Sequence, residues 1–127
     1  MYKVSLAIPI YNVSLFVERA LLSVLNQTYD NIEYLIVDDK GQDDSMDIVH
    51  RIIKDHPRGK DVRIIEHPYN IGLGATRNTA IDNAQGEYLF FMDSDDEIIP
   101  TCIEILVHKM QEHPVDFIAA SHMKKDL

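Results

Sequence analysis

The segment Phe90-Phe91-Met92-Asp93-Ser94-Asp95-Asp96-Glu97 drives an apolar stretch straight into four carboxylates within five positions. Two like unit charges about 4 Å apart repel by roughly 4 kcal/mol at an effective dielectric of about 20. A cluster of this kind at a strand end is therefore unfavourable unless water solvates it fully or a cation sits among the oxygens. Taken alone, it is most simply a solvated acidic turn. Carboxylate oxygens also suit hard divalent ions, and Mg²⁺ or Mn²⁺ commonly takes one or two of them together with the phosphates of a substrate. The elements that carry and surround the cluster bear on which reading applies.

Apolar stretches of strand length alternate with segments of helical period. Val4 to Ile10, Glu33 to Val37, Val62 to Ile65 and Tyr88 to Met92 read as strands, and Phe117 to Ala120 as a fifth. Between them, Leu15 to Thr28 carries Phe16, Ala20, Leu21, Val24 and Leu25 on one helical face. Asp43, Asp44 and Ser45 are N-cap residues for a helix that buries Ile48, Val49, Ile52 and Ile53. A third helix fits Leu73 to Ala84, and Pro100 suits the first turn of a fourth, with Ile103, Leu106, Val107 and Met110 in helical register. Such alternation implies a parallel sheet covered by helices on both faces, and its ligands bind beyond the carboxyl ends of the strands. Here those ends are Tyr11-Asn12, Asp38-Asp39 and Asp93-Ser94-Asp95. Their convergence on one crevice favours a metal at the acidic cluster.

Length and composition bound the answer. At 127 residues and 46% hydrophobic content, the chain is expected to form one globular domain. Its formal charge of −9 argues against nucleic acid, which is held by Lys and Arg patches. A phosphate-bearing ligand would then need a metal to carry much of its charge. No apolar run is long enough for a membrane segment, and no signal-peptide pattern opens the chain, so a cytoplasmic location is expected. Cys102 is the single cysteine and is expected to pack rather than react. The six histidines show no metal-ligand spacing. Gly72-x-Gly74 lacks the third glycine of a dinucleotide fingerprint and reads as a loop before a helix.

Five segments together resemble glycosyltransferase family 2 and its GT-A fold. They are Ile8-Pro9-Ile10-Tyr11-Asn12, Asn26-Gln27-Thr28-Tyr29, Ile36-Val37-Asp38-Asp39, Asn70-Ile71-Gly72-Leu73-Gly74-Ala75-Thr76-Arg77-Asn78, and Gly86 through Asp96. The resemblance implies a Rossmann-like three-layer α/β/α fold with a mainly parallel sheet, cut after about five strands. It implies a metal-dependent, inverting transferase that uses a nucleotide-diphosphate sugar, commonly UDP-linked, with Mn²⁺ or Mg²⁺. Asp93 and Asp95 would hold the metal, with Asp95 the direct ligand and Asp93 and Ser94 toward the nucleotide sugar. Pro9 and Tyr11 would line the base pocket, Asp39 would accept a hydrogen bond from the base, and Arg77 would lie near the donor. The acceptor in a full enzyme would be a glycan or a lipid-linked sugar. Residues 1–127 would form the donor-binding domain only. No position matches the family's catalytic base, and the acceptor-binding part is not represented. Where the family commonly has Gly-Ser after the paired acids, Lys40-Gly41 stands here.

Two other readings remain open at this level. A receiver-type phosphoacceptor domain is also acidic, of this length and alternating in β and α, but its paired acids follow the first strand. A nucleotide-binding fragment without transfer activity would keep the fold and the site.

Overall fold

The computed structural model of the chain describes residues 2–112. Its two central strands, β1 (Val4–Ile10) and β2 (Ile32–Asp38), are buried along their whole length. That is the pattern of a parallel sheet covered on both faces. β3 (Val62–Glu66) pairs with β2, and β4 (Tyr88–Phe91) pairs with the other side of β1, all in parallel. The strand order is therefore β3-β2-β1-β4. Chain progression runs outward through β2 and β3, then reverses to place β4 beside β1. The reversal sets a switch point at the carboxyl ends of β1 and β4.

Helices α1 (Val17–Leu25), α2 (Ser45–Asp55), α3 (Leu73–Asn83) and α4 (Cys102–Glu112) complete the described elements, with one 3₁₀ turn at Gly59–Asp61. Alternate residues of β1, namely Val4, Leu6, Ile8 and Ile10, enter a large core shared with α1, α2 and α4. On the other face Ala7 and Leu35 meet Ala80 of α3 in a smaller cluster, where small side chains admit the helix closely. Helices thus flank the sheet as the alternation requires. Burial pushes the Cys102 thiol up to about 11, so it packs as a small apolar group.

The expected elements are found with shifted ends. α1 begins at Val17, not Leu15, which leaves Leu15 and Phe16 exposed ahead of the helix. α4 begins at Cys102, after Pro100, whose carbonyl accepts the Thr28 N–H at 2.8 Å. The fifth strand read at Phe117 to Ala120 lies outside the described residues. The sheet order also removes the receiver-type alternative, because such a sheet sets β1 between β2 and β3. Here β1 lies between β2 and β4.

The segment that follows the acidic cluster is tied down by α1. Gln27 is buried and donates from Nε2 to the carbonyls of Ser23 (3.0 Å) and Ile99 (2.8 Å), while its Oε1 accepts the Ile103 N–H at 2.9 Å. The Ile98 N–H reaches Ser23 Oγ at 3.2 Å. Replacing the Gln27 amide by an isosteric apolar group strands buried backbone groups, each worth about 1–3 kcal/mol when left unsatisfied. Gln27→Leu is expected to lower unfolding free energy by about that amount in urea titration.

Candidate active site

The carboxyl ends of β1, β2 and β4 open on one crevice of about 560 Å³, a size ordinary for small-ligand sites. Six of the residues named from the sequence line it: Pro9, Tyr11, Asp39, Asp93, Ser94 and Asp95. The crevice also takes Val13, Phe16, Asn70, Gly72, Leu73 and Thr76 as lining. Phe16 reaches it because α1 starts two residues late.

Asp39 is 3% exposed, and its carboxylate accepts from four donors of a single segment. His67 Nδ1 (2.9 Å) and the Ile71 N–H (2.9 Å) meet Oδ1, while Asn70 Nδ2 (2.7 Å) and the Gly72 N–H (3.1 Å) meet Oδ2. Burial alone would raise this carboxyl, but the hydrogen bonds from His67, Ile71 and Gly72 outweigh it and hold it below the ordinary value. Gly72 precedes α3 with φ +97°, a left-handed conformation that suits glycine. Asp39 therefore fixes the whole approach to α3. Among its partners only the Asn70 amide is an exposed side chain, and its Nδ2 also reaches the Asp39 carbonyl at 3.3 Å.

The opposite wall is set by the loop after β1. Asn12 takes φ +51°, and its Oδ1 accepts the Gln42 N–H at 2.7 Å. The Val13 N–H donates to Ser45 Oγ (2.8 Å), and the Ser14 N–H to Asp43 Oδ2 (3.0 Å). A Cβ on Gly41 would stand 2.5 Å from Asn12 Oδ1, so glycine is needed at this approach. Lys40 then occupies the left-handed region itself, at φ +54°, with its Nζ bonded to Glu66 at 2.6 Å. The Lys40-Gly41 departure thus keeps the turn. The expected capping of α2 is redistributed: Asp44 makes no side-chain cap, and Asp43 Oδ1 receives the Ser45 N–H and Oγ–H instead.

At the end of β4, Asp93, Asp95 and Asp96 each offer a carboxylate oxygen, and these lie within 4.8 Å of one another. Asp93 and Asp95 are exposed and Asp96 half-buried. Three hard oxygens at that spacing fit Mg²⁺ or Mn²⁺. The sequence pattern points to Asp93 and Asp95, and the fold adds Asp96 to them. Arg77 is not brought into the crevice: it is exposed on α3 with its guanidinium 5.4 Å from the Phe91 ring centroid, on the last residue of β4.

The profile of glycosyl transferase family 2 matches residues 5–127. The chain belongs to that family. WfaP of Escherichia coli, a UDP-Glc:α-D-GlcNAc-diphosphoundecaprenol β-1,3-glucosyltransferase, is 37% identical across 99% of this chain and 49% of its own length. The structure of Staphylococcus aureus TarS residues 1–349 in complex with UDP superposes with a TM-score of 0.78 and 28% identity, over 87% of this chain and 32% of that one. The mannosyltransferase PcManGT of Pyrobaculum calidifontis, in complex with GDP-Man and Mn²⁺, shares the fold at a TM-score of 0.82 and 24% identity, over 90% and 34% of the two chains. The α/β fold is therefore that of the GT-A glycosyltransferases. The chain spans less than half the length of the curated relatives it matches. No helix among the described residues is long and apolar enough to cross a membrane.

Asp43 supplies a test of the wall that carries Tyr11. Burial works to raise its carboxyl, but hydrogen bonds from Ser45 and Ser14 bring it from 3.8 down to about 2. A depressed carboxyl contributes stability above its unfolded value and loses it as pH falls through the folded one. Asp43→Ala is therefore expected to melt below the wild type at neutral pH, with the gap closing between about pH 4 and pH 2. Thermal melts across that range check it.

Proposed function

We propose that these residues bind a nucleotide-diphosphate sugar, with UDP as the carrier, and serve a transferase that moves the sugar to a glycan or lipid-linked acceptor. The observation that carries this reading is the meeting, in one crevice at the switch point, of the buried Asp39 carboxylate and two of the three clustered acids, Asp93 and Asp95. The nucleoside occupies the half made by Pro9, Tyr11 and Asp39. A base N–H takes the place of the Asn70 amide on Asp39 Oδ2, since the other three donors are backbone groups or a buried ring. The diphosphate extends toward β4, where Asp93 and Asp95 would hold Mn²⁺ or Mg²⁺ with Asp96 beside them. Bound there, such an ion screens the diphosphate and stabilises the charge gained as the sugar leaves. Ser94 donates toward the sugar-phosphate, and Arg77 lies on the α3 side of the same strand end. Support comes from the family membership, from WfaP and its UDP-Glc donor, and from the UDP complex of TarS. The family resemblance further supports a single displacement with inversion. We read residues 1–127 as one donor-binding domain and assign no catalytic base within it.

Calorimetric titration with UDP tests the proposal. UDP is expected to bind with Mn²⁺ present and far more weakly in chelator, because the exposed acids repel an unaccompanied diphosphate. Losing even the partners behind a metal ligand typically costs about 10–100-fold, so Asp95→Asn should cost at least as much. Asp39→Ala is expected to weaken UDP by about 1–3 kcal/mol, the worth of a hydrogen bond to a charged group. Undiminished affinity in chelator would refute the metal-bridged reading.

A further inference from the structure

We infer that His67 is a positioning residue for nucleobase selection, holding the Asp39 carboxylate in the orientation that distinguishes a base N–H from a base acceptor. The inference rests on the reading above that Asp39 meets the base. His67 is 5% exposed and does not line the crevice, so it serves neither as ligand contact nor as surface. Its backbone N–H donates to the Asp38 carbonyl at 2.9 Å, which fixes the residue against the end of β2. Its ring is held at both nitrogens: Nδ1 donates to Asp39 Oδ1, and Nε2 meets Thr79 Oγ1 at 2.7 Å on α3. Thr79 Oγ1 also stands 2.9 Å from the Ala75 carbonyl, one turn back on the same helix. A carboxylate accepts only, so the proton shared with Asp39 resides on Nδ1.

The torsion that turns a carboxylate about its Cβ–Cγ bond is broad, and donors on both oxygens are needed to fix it. When a base N–H displaces the Asn70 amide from Oδ2, His67 remains on Oδ1 as the buried side-chain donor. Uracil presents N3–H to an acceptor, whereas cytosine presents an unprotonated N3 that a fixed carboxylate repels. Loss of His67 leaves the Ile71 and Gly72 N–H groups on the carboxylate but removes its side-chain donor on Oδ1, so its orientation is held less tightly and selection falls while the diphosphate contacts persist.

The affinities of UDP and CDP, measured by calorimetry with Mn²⁺, give a ratio that a purely structural histidine would not move. His67→Phe keeps the ring volume without the donor, and His67→Asn keeps a donor near the Nδ1 position. His67→Phe is expected to lower the UDP-over-CDP ratio by roughly tenfold, the scale of one hydrogen bond to a charged group. His67→Asn is expected to restore most of that ratio. An unchanged ratio in His67→Phe, even with both nucleotides weakened together, overturns the inference, as does an Asn variant that behaves like the Phe one. Should His67→Phe fail to fold, Thr79→Val, which frees Nε2 while keeping the side-chain shape, must lower the ratio, and an unchanged ratio there overturns it equally. Asp39→Ala separates the two levels. If it keeps the wild-type ratio, the base-reading role of Asp39 fails and takes this inference with it. If it loses the ratio while the His67 and Thr79 variants keep it, only the role of His67 fails.

Discussion

A buried carboxylate must be matched by donors, and the Asp39 carboxylate meets that demand from one short stretch of chain. His67, Asn70, Ile71 and Gly72 all turn toward it. Those bonds fix the path from β3 into α3, hold Gly72 in its left-handed conformation and aim the start of α3 at the crevice. β2 and α3 lie on the two sides of this node, so one ionised group ties the sheet to the helix that walls the site. Without it, the loop would present two backbone N–H groups with no partner.

The two acidic features of the site are opposite cases of the same electrostatics. The Asp39 charge is satisfied within the fold by four donors, whereas Asp93 and Asp95 stand exposed with their oxygens close together. Among the described residues, hydrogen-bond donors gather on the first and none is seen on the carboxylates of Asp93 and Asp95. Behind the exposed acids, Ser23 of α1 and Gln27 just past its end fasten the segment from Ile98 to Ile103. A site that is well anchored at its backbone and charged at its side chains is suited to a divalent ion that arrives with its ligand. Net charge of −9 over the chain fits that division, since cations of the protein do not supply the balance.

Much of this was legible in the residues. The strand-helix alternation, the parallel sheet and the convergence of Tyr11, Asp39 and Asp93 follow from apolar period and from strand ends with unusual polar residues. Ends of elements were less legible: Phe16 continues the apolar stripe of α1, so period alone could not show that it faces the crevice. Asp43 and Asp44 are alike as capping residues, and only the fold shows that Asp43 does the work, by reaching Ser14, 29 positions away. The donors to Asp39 lie 28 to 33 residues from it, so no local pattern marks them. His67 was hidden for that reason, being a histidine in a loop with no metal spacing around it. Asp96 was legible as part of the acidic cluster but not as a third oxygen beside Asp93 and Asp95, because that depends on the turn in which its N–H meets the Asp93 carbonyl at 3.1 Å.

The most direct test is a crystal structure of the protein with UDP and Mn²⁺, with anomalous scattering recorded for the metal. The account predicts an anomalous peak on Asp95 within reach of the diphosphate, and uracil against Tyr11 with its N3 at Asp39 Oδ2 in place of the Asn70 amide. A metal peak away from Asp93 and Asp95, or a base bound elsewhere with Asn70 still on Asp39, would contradict it.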